Sequence, residues 1–228
     1  MKRGDIIMAN EQVPFASDLI FYAPLTQGDL TDHISGAVGT PYSENGTIYS
    51  DNLTWDTTEN AYKFHTNKMY QHGARFSVPN FAELISTIHS DDTIWCCDVK
   101  CSNQKCYYAL DIGYAKNGDA DNRDYGYTPC HLARVGSFVF DNDWHHVVFG
   151  FNYSAHEIWA YVDKILRENT TTAYAISSKI FKPNWTNNMK KYISLGVNQD
   201  NYQGEITMWI KDMRLYNRDF TTAELASL

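Results

Sequence analysis

The sequence lacks a basic footprint. Lys and Arg total 19 against 27 Asp and Glu, a net charge of −8. No basic run extends beyond Lys190-Lys191. A nucleic-acid surface needs a cluster of cations to replace released counterions, so nucleic acid is not an expected partner. Long apolar runs are missing too. None approaches the roughly 20 residues that a membrane-spanning helix requires, so membrane insertion is not expected. Residues 1–12 begin with a positive pair but hold no apolar stretch, and do not read as a secretory signal. Cysteine is limited to Cys96, Cys97, Cys101, Cys106 and Cys130. No two of them show the two-residue spacing of a zinc knuckle. Free thiols in a reducing compartment are the simpler expectation, with a zinc site as the alternative. Helical periodicity is confined to residues 80–89, where Phe81, Leu84, Ile85 and Ile88 share one face.

Catalytic constellations are also lacking. Glycoside hydrolysis needs two carboxylates across one bond, one to protonate the leaving oxygen and one to attack or activate water. No strand here alternates acidic residues in that way; Asp98, Asp111 and Glu157 stand alone. There is no Ser-His-Asp signature and no Gly-rich phosphate cradle. His145 and His146 are adjacent, and neighbours on a strand face opposite sides, so they do not readily share one ion. The chain is expected to be non-catalytic.

Aromatic residues are abundant, at 14% of the chain with 16 Tyr. Short runs of strand formers alternate with turn signals, which implies an all-β sandwich or barrel. Two runs stand out, residues 144–151 and 157–162, joined by the polar connection 152–156 as a hairpin. In the first, Val147, Phe149 and Phe151 share a face and His146, Val148 and Gly150 share the other. In the second, Ile158, Ala160 and Val162 oppose Trp159 and Tyr161. The Trp159–Tyr161 face is the first candidate ligand surface, because aromatic rings stack on sugars while Asn and Asp bond the hydroxyls. Tyr107, Tyr125, Tyr127 and Trp185 are further candidates. Each of these rings also fits a core or rim position.

Residues 18–25 read as an opening strand, and residues 106–113 as a hairpin partner of residues 92–99. Residues 1–17 read as a flexible N-terminal arm, leaving 18–228 as one domain. Asn117, Asp119 and Asp121 alternate oxygen donors. They form either a calcium loop or an acidic hairpin tip, since the sixth-position Gly and the distal Glu of a calcium loop are absent. Thr221-Thr222-Ala223-Glu224 is a capping-box pattern for a short terminal helix.

Several stretches together resemble one family. Trp144-His145-His146-Val147 followed by Tyr161-Val162-Asp163-Lys164 is similar to the "WHHVA … LYVDG" signature of laminin-G-like, concanavalin A-like domains, with Lys164 in place of the usual Gly. Leu19, Tyr22, Pro24, Leu30, Asp32, Ser35 and Gly36 match the opening of such domains. Gly204, Ile210, Asp212, Arg214, Tyr216, Asn217, Arg218, Glu224 and Leu225 match their close. The resemblance implies a two-sheet antiparallel jelly-roll sandwich with a short C-terminal helix, and a structural His145-His146 pair. It also implies a structural calcium (Ca2+) held by Asp32 and Asp212.

Two functions fit. One is a non-catalytic carbohydrate-binding or adhesion module whose partner is a glycan or cell-surface polysaccharide. The other is a structural virion protein of a phage, a capsid decoration or tail-fibre component attached to other virion proteins through the N-terminal arm. With no export signal read, the chain is expected in a virion or the cytoplasm before release, and at work outside cells.

Overall fold

The computed structural model describes residues 7–8, 11–41, 53–66, 74–79, 84, 90–102, 110–116, 138–152, 154–155, 157–170, 189–197 and 206–228. The chain is an all-β antiparallel sandwich. Its strands are β1 (Ile7–Met8), β2 (Glu11–Gln12), β3 (Leu19–Ala23), β4 (Thr40–Pro41), β5 (Thr54–Asp56), β6 (Ala61–Thr66) and β7 (Ala74–Ser77). There follow β8 (Asp92–Cys101), β9 (Leu110–Lys116), β10 (Trp144–Asn152), β11 (Glu157–Val162), β12 (Ile165–Thr170), β13 (Met189–Val197) and β14 (Ile206–Tyr216). A short helix, α1 (Thr222–Leu225), closes the chain. Among the described residues no helix is long and apolar enough to cross a membrane.

The larger sheet runs β12-β11-β10-β8-β14-β6-β5, with β3 also on β14, and the smaller runs β4-β7-β13-β9. Alternation along β8, β10 and β11 sorts their side chains between two apolar layers. Trp95, Cys97, Val99, Val147, Phe149, Ala160 and Val162 fill the inner layer. Ile94, Cys96, Val148, Trp159 and Tyr161 lie on the opposite face. The parity expected for the 144–162 hairpin therefore holds, and Cys96 and Cys97 part to opposite sides, both buried as free thiols.

The outer layer would face water without a cover. The chain termini supply one. Val13, Leu19, Leu225 and Leu228 are buried in the outer cluster, with Phe15 and Phe220 packed against it. The Tyr216 hydroxyl donates to the Pro14 carbonyl at 2.9 Å, and the Arg218 guanidinium lies over both Phe15 and Phe220. Val13 and Phe15, inside the segment read as an arm up to Ser17, thus join this packing. The apolar Val13 and Phe15 have the outer cluster to join, which the polar average of that segment conceals. At the other end the capping box forms as its residues specify: Thr221 accepts from the Glu224 amide and Glu224 accepts from the Thr221 amide. Such a cap contributes about 1 kcal/mol.

One strand pairing differs from expectation. β9 does not pair with β8; it pairs with β13 in the smaller sheet. The edges of β8 are taken by β10 and β14, so the chain must leave the larger sheet after β8. The helical spacing over residues 80–89 lies outside the described residues except for Leu84, which packs against the inner layer.

Asp163 and Lys164 turn β11 into β12, both with left-handed backbone, φ 51° and 67°. This two-residue hairpin needs positive φ at both positions, which suits Gly and strains Lys. Replacing Lys164 by Gly is expected to stabilise the fold by up to about 1 kcal/mol. An unchanged urea midpoint would show that the turn carries no such strain.

Asp163 also fastens that turn to β10. Its Oδ1 accepts the His146 amide at 3.0 Å, and its Oδ2 lies 2.7 Å from His145 Nδ1; the other ring nitrogen lies 2.9 Å from Asp141 Oδ1. Burial alone would lower the His145 pKa, but the two carboxylates outweigh it and hold it above 6.5. The folded state therefore binds this proton more tightly than the unfolded chain. Its stabilisation is complete below about pH 6.5 and is lost as pH rises through the raised value. Thermal unfolding should show that step, and His145→Gln should remove it. A variant that keeps the step would assign it to another group.

Candidate functional site

The outer face of the larger sheet opens, at one end, into a cavity of about 560 Å³. Register builds it. Asp92 at the start of β8 faces Asn152 at the end of β10, and Gly150 faces Trp159 on β11. Trp159 and Tyr161 project from alternate positions of β11 into this lining. The wall opposite comes from the segment after β14, with Asp219, Phe220, Thr222 and Leu225. Gly150 is required by the close approach of its neighbours. A Cβ there would lie 2.1 Å from the Thr93 carbonyl oxygen and 3.0 Å from the Trp159 ring. The missing side chain lets the indole lie across β10.

Trp159 and Tyr161 are 6% and 4% exposed. Of the two positions open to them, ligand surface or core and rim, the rings take a nearly buried one and form a floor. The C-terminal segment lies over the same face and covers most of both rings, since Leu225 and Leu228 belong to their cluster.

The rim is acidic and ordered by hydrogen bonds. Asp219 Oδ1 accepts the amides of Asp91 and Asp92 at 2.8 and 3.1 Å. Asp92 is buried; Asn152 Nδ2 donates to one of its oxygens at 2.6 Å and the Phe220 amide to the other at 2.8 Å. Burial pushes the Asp92 pKa up, and the charges of Asp219 and Asp91 add to the rise. Ser154 donates to Asp91 Oδ2 at 2.7 Å. Among the described lining residues there is no Lys, Arg or His.

The opposite end of the same sheet carries a second aromatic pair, half-buried Trp144 and Trp209. Their indole N–H groups donate to Glu59 at 3.1 Å and Asp56 at 2.8 Å. Lys211 sits 4.0 Å above the Trp144 ring, and Lys63 and Lys100 each 5.5 Å from Trp209. These rings are more exposed than Trp159 and Tyr161, but lysine ammonium groups occupy their faces.

Between the two ends lies a polar knot at the middle of the sheet. Ligand atoms of Asp98, His146 and Asp212 lie within 4.8 Å of one another. His146 Nδ1 is 2.7 Å from Asp98 Oδ1. Asp212 stands at a bulge in β14 with φ 54°, and pairs through both oxygens with Arg214. Burial pushes the Asp212 pKa up against the pull of Arg214. This donor set does not suit calcium, which takes six to eight oxygens. The expected partner, Asp32, is not in the group. It is fully buried, and its carboxylate accepts from the amides of Tyr22, Ile34 and Ser35 and from the Ser35 hydroxyl. Those donors occupy the positions a cation would need, and they bind the 31–38 turn to β3. Asp119 and Asp121 lie outside the described residues, as do Tyr107, Tyr125, Tyr127 and Trp185.

Thus Trp159 and Tyr161 are brought together in one cavity. Its polar members Asp91, Asp92, Asn152, Ser154 and Asp219 were not singled out from the sequence. They come from three separate stretches that only strand register unites. The one local signal was the turn chemistry of Asn152 and Ser154 after a strand.

No family model matches the chain, and no curated protein matches it. Similar solved structures exist. One is of botulinum neurotoxin type C, whose cell uptake depends upon interaction with two ganglioside molecules (TM-score 0.59, 11% identity, 92% of this chain and 50% of that one). Another is the binding domain of botulinum neurotoxin DC in complex with rat synaptotagmin II (0.59, 12%, 92% and 51%). A third is the same domain in complex with SialylT (0.56, 11%, 92% and 50%). The chain spans about half the length of these structures. At such identities the likeness shows the fold alone, a β-sandwich.

Proposed function

We propose that the chain is a non-catalytic carbohydrate-binding module of the concanavalin A-like, laminin-G-like type, and that it binds saccharide in the cavity floored by Trp159 and Tyr161. The observation that carries this reading is the make-up of that cavity. Aromatic rings form its floor, and carboxylates, an amide and a hydroxyl stand around its rim, the chemistry that receives the apolar face and the hydroxyls of a sugar ring. The volume suits one or two sugar rings. Structural neighbours that interact with gangliosides and SialylT support the class of ligand by analogy of fold. The proposal needs no calcium. A role in particle assembly through residues 1–17 gains no support from residues 13–18, which pack on their own sheet.

A glycan-array screen of the full chain, run with calcium and with chelator, tests the reading. Specific binding in both conditions is expected. Binding to no saccharide, or binding only with calcium, contradicts it.

A further inference from the structure

The cavity's charge says which sugars it can accept. This inference rests on the carbohydrate-binding reading above. Three carboxylates stand in the lining, and no described lining residue carries a positive charge. The carboxylate of Asp92 is spent internally, with a donor on each oxygen. Asp91 and Asp219 are not spent. Ser154 donates to Oδ2 of Asp91, and two amides donate to Oδ1 of Asp219. Among the described residues, that leaves Asp91 Oδ1 and Asp219 Oδ2 as acceptors without a protein donor. These acids do not converge on one ion, since the only group of three ligand atoms within 4.8 Å among the described residues is elsewhere. The lining is therefore rich in carboxylate acceptors; of its side-chain donors, Asn152 and Ser154 already donate to Asp92 and Asp91, and Thr222, Trp159 and Tyr161 carry the others.

We propose that the cavity selects a saccharide bearing a free ammonium group, an amino sugar that is not N-acylated, and rejects sialylated and other anionic sugars. An ammonium brings donors to Asp91 and Asp219 in a charge-assisted form, and the aromatic floor adds attraction for a cation. N-acylation removes the charge. A carboxylate on the ligand would meet like charge at short range with no cation among the described lining residues; Arg218, on the Phe220 ring, is paired with Asp18 and Glu224.

The test is calorimetric titration of the full chain with three probes. They are the disaccharide of glucosamine, its N-acetylated counterpart and a sialylated trisaccharide. The free amine is expected to bind at least about tenfold more tightly than the N-acetylated form, with the sialylated probe weakest. Raising the salt should narrow the first gap. Asp219→Asn keeps the Oδ1 acceptor for the two amides, so the fold is retained; it should bring the ratio of amine to N-acetyl affinity towards one. Equal or tighter binding of the N-acetylated or sialylated probe overturns this selectivity and leaves the carbohydrate reading standing. Amine binding that survives both Asp219→Asn and Asp91→Asn is general attraction to an acidic chain, and overturns it as well. Binding of none of the three overturns it, and the array then decides the wider reading separately.

Discussion

Trp159→Ala is expected to weaken saccharide binding by at least about thirtyfold, the loss of about 2 kcal/mol that removing a central aromatic anchor brings. The indole forms the floor between β10 and the C-terminal wall and lies against Gly150. The same change should cost the fold about 3–5 kcal/mol, because Trp159 is 6% exposed and packs in the outer cluster. The two effects need separating. Trp159→Phe keeps an aromatic ring and most of the packing, so it should fold nearly as well and bind with a smaller loss. Full binding by the alanine variant would remove this cavity from the account.

Gly150→Ala is expected to be the most damaging single-methyl addition in the larger sheet, at about 3 kcal/mol or more. Typical overpacking costs about 1–3 kcal/mol because side chains can shift. Here the first obstacle is backbone: the added carbon would lie 2.1 Å from the Thr93 carbonyl oxygen. The second is the Trp159 ring at 3.0 Å. Relief requires β8 and β10 to separate where Gly150 pairs with Ile94. The urea midpoint should fall, and binding should weaken even where the variant is folded, since the indole is displaced. A midpoint within experimental error of the parent would show that the strands do not approach so closely.

Sequence reasoning reached the fold where the physics is local. Strict alternation in residues 144–162 assigns Val147, Phe149, Ala160 and Val162 to one layer and Val148, Trp159 and Tyr161 to the other. The structure keeps that division because a one-residue slip would turn every side chain over. The Thr221–Glu224 cap is equally local and formed as read. Non-local pairings were not legible. Nothing in residues 110–116 says that their partner is β13 rather than β8. β12 was missed because its two apolar residues, Ile165 and Leu166, are adjacent and do not alternate; both are exposed. The site was half legible for the same reason. Its aromatic floor belongs to one strand, whereas its acidic rim joins Asp91 and Asp92 to Asp219 across the width of the fold. Asp212 was read from a family pattern as a calcium ligand; Arg214 stands in the same pattern, but its pairing with Asp212 at the bulge of β14 is not legible there.

The central claim is that one end of the outer sheet face, and not the other, receives the ligand. The six tryptophans offer a direct reading of it, because each has its own indole N–H resonance. Heteronuclear NMR of the labelled chain, titrated with a saccharide that the array identifies, is the measurement. The account predicts that the Trp159 indole signal shifts most while those of Trp144 and Trp209 stay in place. Shifts at Trp144 or Trp209 with Trp159 unmoved would contradict it and transfer the site to the lysine-covered end of the sheet.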